Sequence, residues 1–257
     1  MQYIADVLHP KAKSAGAVQW THGRLSRIPV PFYSPLDYSD ILGVMRLLLF
    51  LLPAAGLLAE PLIKGRTLDG WEVRGDAIWT VNSDRVIVGQ RRPVKEHPPE
   101  GTPAWRGWFY QQAWLFTKAE YENFDLHVEY WLPVHGNSGV GLRDVSRAEG
   151  GITLPSRGDR TSKAAYEIQL NNQYPDDHRS GSIYGLAKAP EGLQKDDDWN
   201  AMDIEARADK ITVRINGKLA AEHAVMPERP KKGPIGLQLH DRNSLAMFRN
   251  IKITPRK

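Results

Sequence analysis

The chain has 257 residues, 41% of them hydrophobic, enough to bury a core in one or two domains. Formal net charge is +4, and residues 60–257 carry 29 Lys or Arg against 27 Asp or Glu, scattered singly, so no basic stripe marks a nucleic-acid partner. The absence of cysteine excludes disulfides and thiolate metal sites.

From Met45 the sequence has the anatomy of a secretory signal peptide: Arg46, an apolar run over 47–58, then the small Ala59. The run is shorter than the about 20 residues a membrane span needs, and Pro53 interrupts it. Signal peptides work at an N-terminus. The expectation is therefore that residues 1–44 are an overlong extension of the natural start, 45–59 the signal peptide, and 60–257 one exported domain, periplasmic or extracellular. The competing reading is a buried helix carrying a disordered arm.

After Glu60 the chain reads as short strands with turn punctuation and no long amphipathic helix. Residues 90–102, rich in Pro, Gly and charge, predict a loop. Phe124, Leu126, Val128, Tyr130 and Leu132 alternate with Asp125, His127, Glu129 and Trp131, the pattern of a strand with one face on a core. Residues 149–162 predict an exposed loop. Ile211, Val213 and Ile215 alternate with Thr212 and Arg214 up to Asn216-Gly217, the pair best suited to a type I′ turn, so 210–223 predicts a hairpin. The class is all-β, a jelly-roll or sandwich of antiparallel sheets.

Three segments carry polar side chains at every second position opposite an apolar face. Glu167, Gln169 and Asn171 oppose Ile168 and Leu170. Gln238 and His240 oppose Leu237 and Leu239. Asn137 and Arg143 share a face with Gly139 and Gly141, and glycine within a strand marks a close approach by a ligand or backbone. Outer faces of antiparallel strands are commonly polar, yet these carry amides, Arg and His, which form directed hydrogen bonds. The expectation is a single concave ligand face. Trp105, Trp108, Tyr110, Trp114, Tyr184 and Trp199 are available to lie against the C–H faces of a sugar, which makes a carbohydrate the expected ligand. No two His sit at metal-ligand spacing, Asp176-Asp177-His178 reads as a polar turn, and no cofactor motif occurs.

In chain order, 65–71 (Gly-Arg-Thr-Leu-Asp-Gly-Trp), 114–117 with 120–124, 136–140 with Leu142-Arg143, Tyr166-Glu167-Ile168-Gln169, Ile183-Tyr184-Gly185, Trp199-Asn200, 215–217, 233–238 and Phe248-Arg249-Asn250-Ile251 resemble the 3-keto-disaccharide hydrolase family across essentially all of 60–257. The sequence departs from the usual pattern at His135, where Gly or Pro is expected, and at Asn171, where Asp is common. The resemblance implies a concanavalin-like jelly-roll sandwich, bacterial export and hydrolysis of glycosides oxidised to a ketone at carbon 3. Such a ketone acidifies the hydrogen at carbon 2, so a base can remove it and expel the glycosidic oxygen from carbon 1, with water adding afterwards. Glu167 or His240 is the candidate base, Arg143 or Gln169 the candidate enolate holder, and Tyr184 or His240 the candidate aid to departure. Asn137, Gln169, Tyr184, Trp199, Gln238 and Trp114 are the candidate substrate contacts. The competing class is a non-catalytic, lectin-like sugar-binding module, which needs no titratable pair. A conventional glycosidase is weaker, with Glu129 the remaining second carboxylate.

Overall fold

The computed structural model of the protein describes residues 58–147 and 165–257. The signal-like segment through residue 57 and the predicted 149–162 loop lie outside them. Leu58 and Ala59 are exposed, and the first strand begins at Glu60. No helix among the described residues is long and apolar enough to cross a membrane.

The strands in chain order are β1 (Glu60–Pro61), β2 (Trp71–Arg74), β3 (Ala77–Val81), β4 (Ile87–Arg91), β5 (Ala113–Thr117), β6 (Asn123–Trp131), β7 (Gly136–Leu142), β8 (Tyr166–Asn172), β9 (Asn200–Ala206), β10 (Lys210–Ile215), β11 (Lys218–Ala224), β12 (Ile235–Leu239) and β13 (Leu245–Arg256). They form two antiparallel sheets. One has the order β11-β10-β9-β6-β13-β4-β3, with β1 also paired to β13; the other has the order β2-β5-β12-β7-β8. The fold is the expected concanavalin-like jelly-roll sandwich.

Period-two alternation carries the core. Phe124, Leu126, Val128 and Tyr130 are buried while their neighbours in β6 are partly exposed, as predicted. They meet Leu115, Val140, Leu142, Ile168, Leu170, Leu237 and Leu239 from the five-stranded sheet in one continuous cluster. The β10–β11 hairpin forms as expected, with Asn216 at φ 50° and Gly217 at φ 79° supplying the two left-handed residues of the turn.

One helix was missed. α1 (Pro103–Phe109) begins right after the predicted 90–102 loop, whose first two residues instead complete β4. The Thr102 hydroxyl caps it by accepting from the Trp105 N–H at 3.1 Å, and Pro103 sits at its first position. Thr-Pro was the available signal, but a seven-residue helix is too short for periodicity to reveal.

Gly89 lies opposite Trp79 in the β3–β4 pair, and a Cβ at Gly89 would stand 2.3 Å from the buried indole. Gly89→Ala is expected to cost about 1–3 kcal/mol by overpacking. Urea unfolding should show a lower midpoint at unchanged slope; an unchanged midpoint would mean that the indole has room to move.

Candidate active site on the five-stranded sheet

The outward face of the five-stranded sheet is ordered in rows by strand register. Gly141 pairs with Glu167, Gly139 with Gln169 and Asn137 with Asn171 across β7–β8. On the other side of β7, Gly141 pairs with Gly236, and β12 in turn sets Gln238 against Trp114 and Gly236 against Phe116. Trp114 and Phe116 stack with centroids 5.5 Å apart and fill the space above Gly236. Sandwich faces of this kind normally meet water, yet Glu167, Gln169, Asn171, Asn137 and Gln238 are all buried.

The open edge of β8 is closed by the chain that follows it. It turns back at 173–180 and runs along the β8 edge, where the Gln169 N–H donates to Ser182 O and the Tyr184 N–H to Glu167 O, each at 2.9 Å. Asn171 holds this return: its side-chain N–H groups donate to the carbonyls of Tyr174, Asp176 and His178, and its oxygen accepts from the Tyr174 N–H. Asn171 is thus spent on the turn rather than on a ligand.

Glu167 sits next to that return. Its Oε1 accepts from Gln238 Nε2 at 2.9 Å, while its Oε2 and the Gln238 Oε1 are buried without a protein partner. Burial pushes the carboxyl up to about 8; the Gln238 hydrogen bond opposes this shift, and the nearby charge of Asp176 adds to it. Glu167 is therefore largely protonated at neutral pH. Gly139 makes the contact possible, since a Cβ there would lie 2.9 Å from Glu167 Oε1 and 3.3 Å from Gln238 Oε1. Beside the pair, Gln169 Nε2 donates to Asn137 Oδ1 at 3.2 Å.

Two Tyr–Asp–His arrangements flank this centre. The Tyr184 hydroxyl donates to Asp176 Oδ2 at 2.9 Å, and Asp176 Oδ1 faces His178 Nδ1 at 3.0 Å. His178 Nε2 accepts from the Gly185 N–H, which leaves the ring proton on Nδ1 for the carboxylate. Burial raises Asp176, but hydrogen bonds from His178 and Tyr184 outweigh it and hold the group below its ordinary range. On the other flank, His240 Nδ1 faces Asp241 Oδ2 at 3.3 Å, and the His240 ring packs edge-on to Tyr174 and Tyr110. Burial also raises Asp241, and hydrogen bonds from His240, the Asn243 N–H and Tyr174 likewise outweigh it. Asp241 so orients His240 with Nε2 left for a ligand.

Asn137, Glu167, Gln169 and Gln238 thus come together, with Tyr184 beside them and His240 just past the end of β12, two residues beyond Gln238. Trp114 shares the face as a buried wall over Gly236, its indole N–H donating to Gln112. Arg143 does not join them. Its φ of 62° ends the alternation of β7, and its guanidinium donates to the carbonyls of Glu122 and Arg207 at 2.5–3.1 Å, bracing loops of the other sheet. Trp199 is also displaced: it stacks under Arg249, which pairs with Glu129, so both Trp199 and Glu129 belong to the outer surface of the eight-stranded sheet. Tyr174, Asp176, His178 and Asp241 were missed as site residues. His-Asp at the end of β12 was one signal. The acidic turn 176–178 was another; its ligand atoms lie within 4.8 Å of one another, but Asp176 is engaged as above and Asp177 pairs with Lys188. His135, where the pattern departs from Gly, does adopt a left-handed φ of 62°.

Residues 58–254 match the family model for the 3-keto-alpha-glucoside-1,2-lyase-like domain. Two solved structures of candidate glycosyl hydrolases from Parabacteroides distasonis are similar. One is 24% identical, covers 77% of this chain and 100% of its own, and has a TM-score of 0.56. The other is 18% identical, covers 76% and 93%, and has a TM-score of 0.53. At these identities the likeness is one of fold. No curated protein matches the chain in sequence.

The raised Glu167 makes stability depend on pH. Folded, the carboxyl keeps its proton up to about 8; unfolded, it releases it near 4.5. Between those values unfolding releases a proton, so stability contributed by the protonated form is present at low pH and declines as pH rises, by up to about 1.4 kcal/mol per unit. Glu167→Gln removes that dependence. Denaturant unfolding at pH 5 and pH 8 should show the variant gaining on the wild type toward pH 8, and parallel curves would mean that Glu167 titrates as an ordinary carboxylate.

Proposed function

The chain belongs to the 3-keto-alpha-glucoside-1,2-lyase-like family, and on that premise we propose that it hydrolyses glycosides oxidised to a ketone at carbon 3 of the sugar. The observation that carries the reading is a buried Glu167 bonded to Gln238 on β12, with His240, held by Asp241, two residues further along the chain. A module that only binds sugars needs no such pair.

In this reading the neutral Glu167 donates to the ketone oxygen, with its unpartnered Oε2 as the donor atom, and stabilises the enolate that forms there. His240 stands two residues past Gln238, a rise of roughly 7 Å along the strand, the scale of one sugar ring. Its Nε2 removes the carbon-2 proton. The enolate electrons then form the carbon 1–carbon 2 double bond, the bond from carbon 1 to the glycosidic oxygen breaks, and His240 returns its proton to the departing oxygen. Water adds at carbon 1, gives a proton to His240, and His240 delivers one to carbon 2. Gln169, Asn137 and Tyr184 offer polar contacts to the ring hydroxyls.

Purified protein should turn over a 3-keto-disaccharide and leave the unoxidised parent intact. Glu167→Met, which removes the donor, is expected to lower kcat by about 10²–10³-fold. Glu167→Gln should retain part of the activity and lose the fall in rate that the wild type shows as pH passes about 8. His240→Gln should lose about 10²-fold or more. An inert Glu167→Gln beside a near-normal His240→Gln would assign the base to Glu167. Binding of both sugars with turnover of neither would leave a lectin-like module.

The 45–59 segment supports an exported enzyme. Mass spectrometry of the secreted form is expected to find the N-terminus at or near Glu60; a terminus upstream of Met45 would refute this assignment.

A further inference from the structure

Where β7 begins and β12 ends, a cleft of about 260 Å³ is lined by Tyr174 and Asp241, both of which contact His240, and shares Asn137 with the centre described above. From the geometry we infer that this cleft is the leaving-group subsite and that it takes a flat aromatic aglycone in preference to a second sugar. The inference rests on the keto-glycoside reading. With the ketone at Glu167 and carbon 2 at His240, carbon 1 and its substituent continue past the end of β12 toward the cleft.

The chemistry of the walls selects the occupant. Phe109, Pro133, Val134 and Pro175 supply apolar surface, and Phe109 is held in place by stacking on Trp105 with centroids 4.7 Å apart. Several of the polar groups are already engaged. Asp241 Oδ1 accepts from the Asn243 N–H and Oδ2 faces His240, while the Ser244 oxygen accepts from the Asp241 N–H at 2.9 Å. His135 Nδ1 lies 3.1 Å from Gln173 O. A second sugar would set several hydroxyls against walls that are mainly apolar, whereas an aromatic ring needs no polar partner and removes that apolar wall from water.

The test uses unoxidised ligands, whose binding does not depend on turnover. Calorimetry is expected to find phenyl glucoside bound about tenfold more tightly than a glucosyl disaccharide, as burial of one ring face implies. Phe109→Ala and Val134→Asp should each bring that ratio close to one; Val134 is 43% exposed, so its substitution leaves folding intact. Equal or tighter binding of the disaccharide, or a ratio unmoved by both variants, would overturn the subsite. Turnover of a 3-keto-disaccharide is measured in parallel. Its absence would count against the hydrolase reading, while the binding ratio would still decide the aromatic preference.

Discussion

Glu167 lies on the side of an antiparallel sheet that sandwiches usually leave to water, and the candidate site depends on what keeps water away from it. The chain after β8 contributes by folding back along that strand and hydrogen-bonding to Gln169 and Glu167. Gly139 contributes by having no side chain where Glu167 and Gln238 meet. A carboxyl in that position loses hydration that one amide hydrogen bond does not replace, so the proton stays on. Gln238 and Asn171 serve this arrangement in different ways, one reaching Glu167 directly and the other fixing the turn that carries Asp176.

The same constraint separates the roles of the acidic groups. Asp176 and Asp241 are partly buried as well, but each accepts hydrogen bonds from a histidine, a tyrosine and a backbone N–H, which favour the charged form. Glu167 has only Gln238, and it feels the negative charge of Asp176. The result is one neutral carboxyl beside two ionised ones, a division set by how deeply each is buried and by how many hydrogen bonds it accepts. It leaves His240 oriented by a carboxylate and Glu167 able to donate.

The eight-stranded sheet makes the comparison concrete. On its outer side Asp125, His127 and Glu129 also recur at every second position opposite a buried apolar face. There they remain partly exposed and pair with Arg207, Arg256, Asp203 and Arg249. Exposed pairs of this kind contribute little beyond solubility and register. Identical alternation has therefore produced a charged surface on one sheet and a desolvated site on the other.

The sequence by itself determined the all-β class, the β10–β11 hairpin, the core face of β6 and the residues that alternate on β7, β8 and β12, because a period of two assigns faces without reference to any partner strand. That local rule failed at Arg143, where a left-handed backbone broke the alternation, and it was silent on Trp199, whose face depends on which sheet β9 joins. Asp241 and Asp176 were visible as residues but not as partners of His240 and Tyr184. Strand order decided which polar faces became neighbours, and the return of 173–187 along the β8 edge brought Asp176 and Tyr184 to them. Both are long-range contacts, and the chemistry of Glu167 comes from its desolvation, which no stretch of sequence carries on its own.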